Sequence, residues 1–127
     1  MQRKIKIWIG FTKLNESEYL KCFELDYVTE DFDDPNYKMC EFCKHIAQFW
    51  YDEDFIGIIP VLEKKVGVAE LISSTPLNTS TKEIVRNDCL KMGMENGNAV
   101  LFYSGETRTI EIGEDFQGLK FIGEYNV

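Results

Sequence analysis

The stretch from Phe49 to Pro60, Phe-Trp-Tyr-Asp-Glu-Asp-Phe-Ile-Gly-Ile-Ile-Pro, places the tightest constraint on the fold. Three aromatic residues run directly into the three carboxylates Asp52, Glu53 and Asp54. Phe55 and an apolar run follow, closed by proline. Aromatic and aliphatic side chains gain from burial, whereas unpaired carboxylates are costly to bury. An acidic loop held at the surface by core anchors on both sides meets both demands. Adjacent like charges repel, and a partner of opposite charge would offset that repulsion. A solvated turn between a helix and a strand meets the same demands without a partner.

The flanking sequence supplies the elements. Ile5, Ile7, Ile9 and Phe11 alternate with Lys4, Lys6, Trp8 and Gly10, the period of a half-buried strand. Asn15 and Glu18 form a capping box, with Leu14 placed to staple onto Tyr19. The helix they open is expected to run to about Glu24 and to bury Leu20 and Phe23. Asp34-Pro35 reads as an N-cap followed by proline at the first helical position. Beyond it Met39, Phe42, Cys43, Ile46, Ala47 and Trp50 make an apolar stripe at helical spacing. Ile56 to Leu62 reads as a short strand, which Pro60 would put at a sheet edge. Val68, Leu71 and Ile72 share a face of a short helix ending before Pro76. Ser80-Thr81-Lys82-Glu83 reads as the capping box of a helix that buries Val85, Cys89 and Met92 and closes at Gly93. Asn98 to Tyr103, Glu106 to Ile112 and Leu119 to Tyr125 then read as strands, joined by a tight turn at Ser104-Gly105 and a longer one from Gly113 to Gly118. This order predicts an α+β fold. Its antiparallel sheet would combine the N-terminal strand with a C-terminal three-strand meander, packed on one face against several helices.

A chain of 127 residues fits a single domain spanning 1–127. With 44% hydrophobic and 13% aromatic residues it can bury a core without disulfides. The net charge of −8 argues against a nucleic-acid or anionic-membrane surface, and favours a basic partner or simple solubility. Met1 to Lys6 is basic, but the alternation that follows lacks the continuous apolar run of a signal peptide, and no stretch has the length of a membrane span. A cytoplasmic protein with four reduced cysteines is expected.

Candidate chemistry is sparse. Cys40-Glu41-Phe42-Cys43-Lys44-His45 invites a metal or redox reading. A structural zinc takes four ligands, usually as two pairs, and Cys22 and Cys89 do not form a second pair. The haem-attachment pattern is broken by Lys44, and a thioredoxin-type motif belongs after a strand rather than inside the predicted helix. Cys43 falls on the apolar stripe as a small core residue. His45 shares a helical face with Glu41 and Gln48 and is expected to be solvated. Asp52, Glu53 and Asp54, or Asp31, Asp33 and Asp34, could bind a cation or act as an acid–base pair. The segment Asp31-Phe-Asp-Asp-Pro-Asn36 lacks the glycine of a calcium loop, and no phosphate-binding loop accompanies either cluster. No catalytic residue, metal or cofactor is expected; the alternative is a metal held by Cys40 and Cys43, or an uncharacterised enzyme. Trp8, Trp50, Tyr51, Phe55 and Tyr27 are the large aromatics nearest the acidic segments, and aromatics beside carboxylates match a face for a basic protein partner. Trp8, on the lysine face of the first strand, is expected to be its most exposed aromatic, followed by Tyr51, while Trp50 and Phe55 fit the core.

Three stretches add a resemblance: Ile7-Trp8-Ile9-Gly10, then Trp50-Tyr51-Asp52-Glu53-Asp54-Phe55-Ile56, then Leu119-Lys120-Phe121-Ile122-Gly123. In this order and over this length, the chain resembles immunity protein family 22 of bacterial polymorphic-toxin systems. The resemblance implies an antitoxin without catalysis that binds and neutralises a cognate toxin domain. Such toxins are often nucleases, basic where they hold nucleic acid, and an acidic inhibitor would be steered to that surface. The contacts expected for such a partner are Asp52, Glu53 and Asp54, helped by Asp31, Asp33, Asp34, Tyr51 and Trp8. No direct nucleic-acid or membrane contact is expected. Oligomeric state is left open, with a monomer favoured.

Overall fold

The computed structural model describes residues 4–29, 31–59 and 61–126. In chain order the elements are β1 (Lys4–Gly10), α1 (Glu16–Lys21), α2 (Glu41–Ile46), β2 (Ile56–Ile58), β3 (Val66–Gly67), α3 (Val68–Ser73), α4 (Thr79–Lys91), β4 (Asn96–Gly97), β5 (Ala99–Tyr103), β6 (Asp115–Phe116) and β7 (Leu119–Asn126). Five strands form one antiparallel sheet in the order β2-β5-β1-β7-β6, and β3 pairs with β4 beside it. The α+β class stands. The meander does not: β1 lies between β5 and β7, so the N-terminal strand is the centre of the sheet rather than an addition to its side.

The predicted strand over 106–112 is absent. Both edges of β5 are already occupied, by β1 and by β2, so its hairpin partner has nowhere to pair. The chain instead leaves the sheet after Tyr103 and is fastened to α2. The Arg108 amide donates to the Ile46 carbonyl at 3.0 Å, and Arg108 Nε donates to the His45 carbonyl at 2.7 Å. The Arg108 guanidinium also grips both carboxylate oxygens of Glu114, at 2.9 and 3.0 Å. Ser104-Gly105 is therefore not a hairpin turn. The real hairpin joins β6 to β7 through Gln117 and Gly118, whose φ values of 54° and 96° suit a type I′ turn.

The sheet is covered on both faces, not one. Trp8, Leu101, Tyr103, Leu119 and Phe121 point into a core shared with Tyr19, Phe23, Phe42, Cys43 and Ile46. Ile5, Ile7, Ile9, Val100 and Ile122 point into a second core with Val68, Leu71, Ile72, Val85 and Cys89. β5, Ala-Val-Leu-Phe-Tyr, thus reads as a continuous apolar run, as a strand buried on both faces does. Each fully buried Leu or Ile contributes about 1.5–3 kcal/mol relative to exposure. Where β1 meets β7 the register shifts between Ile7 and Trp8, leaving Ile122 as a bulged residue that adds to the second core. A side-chain clamp fixes the end of β1: Asn98 Oδ1 accepts from the Thr12 amide at 2.9 Å, and its Nδ2 donates to the Thr12 carbonyl at 3.1 Å.

Helix starts follow their local chemistry. Asn15 and Glu18 form the expected capping box of α1, but the helix stops at Lys21 and buries Tyr19, while Leu20 stays exposed. α3 buries Val68, Leu71 and Ile72 as expected. The cap of α4 is Asn78, whose side chain accepts from the Thr81 amide, not the Ser80 box. That helix buries Val85 and Cys89, leaves Met92 at the surface, and is followed by Gly93 at φ 78°, a left-handed exit that glycine adopts freely. The largest departure is α2. Asp34 caps no helix; its Oδ1 accepts from the Asn36 amide in a local turn, and α2 begins only at Cys40, which serves as N-cap. β2 lies at the sheet edge, as expected, although Pro60 itself falls outside the described residues.

Candidate functional site

The acidic segment is positioned by how α2 ends. Ala47 adopts the left-handed conformation at φ 58°, with the Gln48 amide bonded to the Cys43 carbonyl and the Ala47 amide to that of Lys44. This Schellman closure breaks the predicted helical stripe and turns the chain outward. Phe49 then faces solvent, Trp50 lies half-buried against the edge of the core, and Tyr51 turns inward. The Tyr51 hydroxyl donates to the Phe23 carbonyl at 2.5 Å, and the Asp52 amide donates to the Tyr103 hydroxyl at 3.0 Å. These two phenols are the anchors that the sequence required on the near side of the loop.

Asp52, Glu53 and Asp54 are all exposed. They differ in duty. Asp52 caps the short 3-10 turn Glu53–Phe55, its Oδ1 accepting from the Asp54 amide at 3.0 Å. Glu53 accepts from the Tyr27 hydroxyl. Asp54 is in none of the ion pairs among the described residues, and neither is Glu106, which arrives from the segment after β5. Together these four carboxylates, with Trp50 and Phe55, line an open cleft of about 780 Å3.

A shelf of aromatic rings adjoins the cleft. Phe32 stacks on Phe49 with ring centres 5.4 Å apart and planes 10° from parallel, and it lies 6.4 Å from Trp50. Tyr27 meets Trp50 edge-on at 5.2 Å. Tyr27, Phe32 and Phe49 are 65%, 45% and 52% exposed, too open for core residues. The loop carrying Tyr27 and Phe32 is tied from within. Asp26 accepts from the amides of Val28, Thr29 and Lys38, and those donors, that of Thr29 foremost, hold its carboxyl down at about 2. Asp31 accepts from the Asp33 amide at 2.9 Å. The ring contacts of Phe32 therefore bring the Asp31, Asp33, Asp34 segment and the Asp52, Glu53, Asp54 segment to one shelf.

Two expected contacts are corrected. Trp8 has no exposed surface: its ring packs against Phe42 and Phe121. Lys4 and Lys6 lie near the strand's open end, but one step further along the same face is roofed by α2. Tyr51 is 4% exposed and serves as an anchor, not a presented ring. Of the two positions read as core, Phe55 goes the other way at 41% exposed, while Trp50 is half-buried, packing against the core and joining the shelf.

His45 is not solvated either. Its Nε2 accepts from Trp8 Nε1–H at 3.0 Å, and the ring packs against Phe116. Burial and then the nearby Arg108 charge lower its pKa, with Glu114 and Asp115 opposing, which keeps the imidazole a neutral acceptor. Cys40 and Cys43 are buried with their sulfurs 3.0 Å apart. No group of three or more His, Cys, Asp or Glu side chains that could hold a metal occurs among the described residues. Sequence reasoning reached Tyr27 and Trp50 but missed Glu106, Phe32 and Phe49, and with them the shelf. The signal for the shelf was Phe49-Trp50-Tyr51 itself, because three consecutive rings cannot all face one core.

The family model described as Immunity protein 22 matches residues 5–127. No curated protein and no solved structure matches the chain. No helix among the described residues is long and apolar enough to cross a membrane.

Proposed function

Because the chain belongs to the Immunity protein 22 family, we propose that it neutralises a toxin domain by stoichiometric occlusion, docking through the acidic cleft and the aromatic shelf beside it. The observation that carries this reading is the cleft itself: Asp52, Glu53, Asp54 and Glu106 converge on it, next to exposed rings drawn from two loops. Exposed aromatics supply contact area at low entropic cost, and carboxylates supply steering toward a basic partner. A net charge of −8 supports the same partner class, and the reading takes the toxin to be a nuclease whose basic substrate surface is covered. A specific interface of this kind buries on the order of 1,600 Å2 in total. The shelf and cleft form its centre, with Asp31, Asp33 and Asp34 at its rim. The protein is not a catalyst in this reading, and it acts in the cytoplasm as a monomer bound one-to-one.

The test is co-expression with the toxin domain encoded beside this gene. Rescue of growth together with co-purification of a one-to-one complex supports occlusion. Absence of rescue, with both proteins folded and expressed, overturns it. Toxins that cut nucleic acid in the absence of this protein and not in its presence support the nuclease assignment.

A further inference from the structure

We propose that Cys40 and Cys43 form a redox-active dithiol that closes to an intramolecular disulfide by exchange with low-molecular-weight disulfides. The sequence argument against such a role was that the pair would lie inside a helix. The structure places it otherwise. Cys40 is the N-cap of α2 and Cys43 its third residue, so both side chains lie on the same side of the first turn. The Cys43 amide donates to the Cys40 sulfur at 3.3 Å, and the two thiols share an S–H···S hydrogen bond at 3.0 Å. A disulfide bond is about 2.05 Å long, so closure needs an approach of only about 1 Å.

The two sulfurs are inequivalent in the way thiol exchange requires. The hydrogen bond from Cys43 and the amides of Cys43 and Phe42 hold the Cys40 thiol below its ordinary value, against the cost of burial. The same hydrogen bond, with burial, pushes Cys43 up. Cys40 keeps 8% exposure and Cys43 none, so Cys40 is the more accessible of the two. The remaining thiols are poor competitors. Burial raises Cys22, and it pushes Cys89 up to about 12.

The chemistry balances with a disulfide RSSR as the oxidant. The Cys40 thiolate attacks one sulfur of RSSR, the S–S bond breaks, and one RS− leaves and takes up the proton released by Cys40. The Cys43 sulfur then attacks Cys40 in the mixed disulfide, forms the Cys40–Cys43 bond and expels the second RS−, which takes the Cys43 proton. Two electrons pass from the protein to RSSR, giving two RSH. The dithiol stands apart from the toxin-binding reading and does not depend on it.

The experiment equilibrates the native protein with glutathione and glutathione disulfide at graded ratios and pH 7. Exchange is quenched with acid, and the protein is denatured, alkylated and weighed by mass spectrometry. The expected product has lost two hydrogens, takes up two alkyl groups in place of four, and yields a linked peptide joining Cys40 to Cys43. A Cys43→Ser variant is expected to retain one glutathione on Cys40. Four alkyl groups at every ratio, or a linkage through Cys22 or Cys89, would overturn the proposal; both outcomes are read on the unmodified sequence, so they stand whether or not the variant folds.

Discussion

Reversing Asp54 and Glu106 together is expected to weaken the toxin complex by about 3 kcal/mol, or about 150-fold in Kd, and to leave the fold intact. These two cleft residues are the informative pair because neither has a structural partner to lose. Both are exposed and neither joins an ion pair among the described residues. Asp52 is a worse choice, since Asp52→Lys removes the cap on the Asp54 amide and mixes a folding effect into the binding measurement. Close charge pairs across an interface couple by about 1.5 kcal/mol at the weak end of their range. The weak end applies because both carboxylates are exposed to water before binding and must give it up. Two lost pairs give the figure above, and repulsion from the introduced lysines adds to it. Surface changes of this kind alter stability by no more than about 0.5 kcal/mol. Titration calorimetry of the Asp54→Lys, Glu106→Lys protein against the neighbouring toxin domain measures the loss, and a thermal melt checks the fold. Glu83→Lys, exposed on α4 over the other face of the sheet, is the control expected to bind normally. A folded double variant that binds within about threefold of the original would refute the reasoning and move the interface elsewhere.

Three further outcomes follow from the interior. Asn98→Ala strips partners from the buried Thr12 amide and carbonyl and is expected to cost at least about 2 kcal/mol in denaturant unfolding, whereas a loss below about 0.5 kcal/mol would show the clamp to be idle. Tyr19→Phe removes a buried hydroxyl that has no hydrogen-bond partner among the described residues, so stability should hold or rise by about 1 kcal/mol; a clear loss would reveal a hidden partner. His45 is held below its ordinary 6.5 by burial and Arg108, so the unfolded chain takes up the proton first. Its stabilising contribution is complete above 6.5 and is lost as pH falls through the lower folded value, when the imidazole can no longer accept from Trp8. An NMR titration placing His45 at or above 6.5 in the folded protein would contradict this.

What could be read from the sequence was local. The Asn15–Glu18 box, the existence of strand β1 and the exposure of Asp52, Glu53 and Asp54 each depend on a few neighbouring residues, and each is found in the structure, although β1 is buried on both faces rather than one. What failed depended on distant ones. Glu106 to Ile112 alternates as a strand should, yet β1, nearly a hundred residues upstream, holds the position it would take. Trp8 looked exposed because its lysine neighbours defined the face, and only α2 reveals the roof above it. Asp34-Pro35 carried a sound cap signal, but Asp26 binds the Lys38 amide and keeps the loop non-helical until a thiol, a type outside the usual capping residues, starts α2. The acidic half of the candidate site was visible for the reason that charge is a property of single residues. Its aromatic half was not, because the shelf exists only once Tyr27 and Phe32 meet Phe49 and Trp50.

The central position of β1 also sets a timetable. β1 is made before both of the strands that flank it, Ala99–Tyr103 on one side and Leu119–Asn126 on the other. Until that last strand has cleared the exit tunnel, the middle of the sheet has an open flank and neither core can close. Such late, long-range pairing is also slow to form. A fragment broken off before residue 119 would therefore lack the strand that flanks β1 on that side and would leave both cores open.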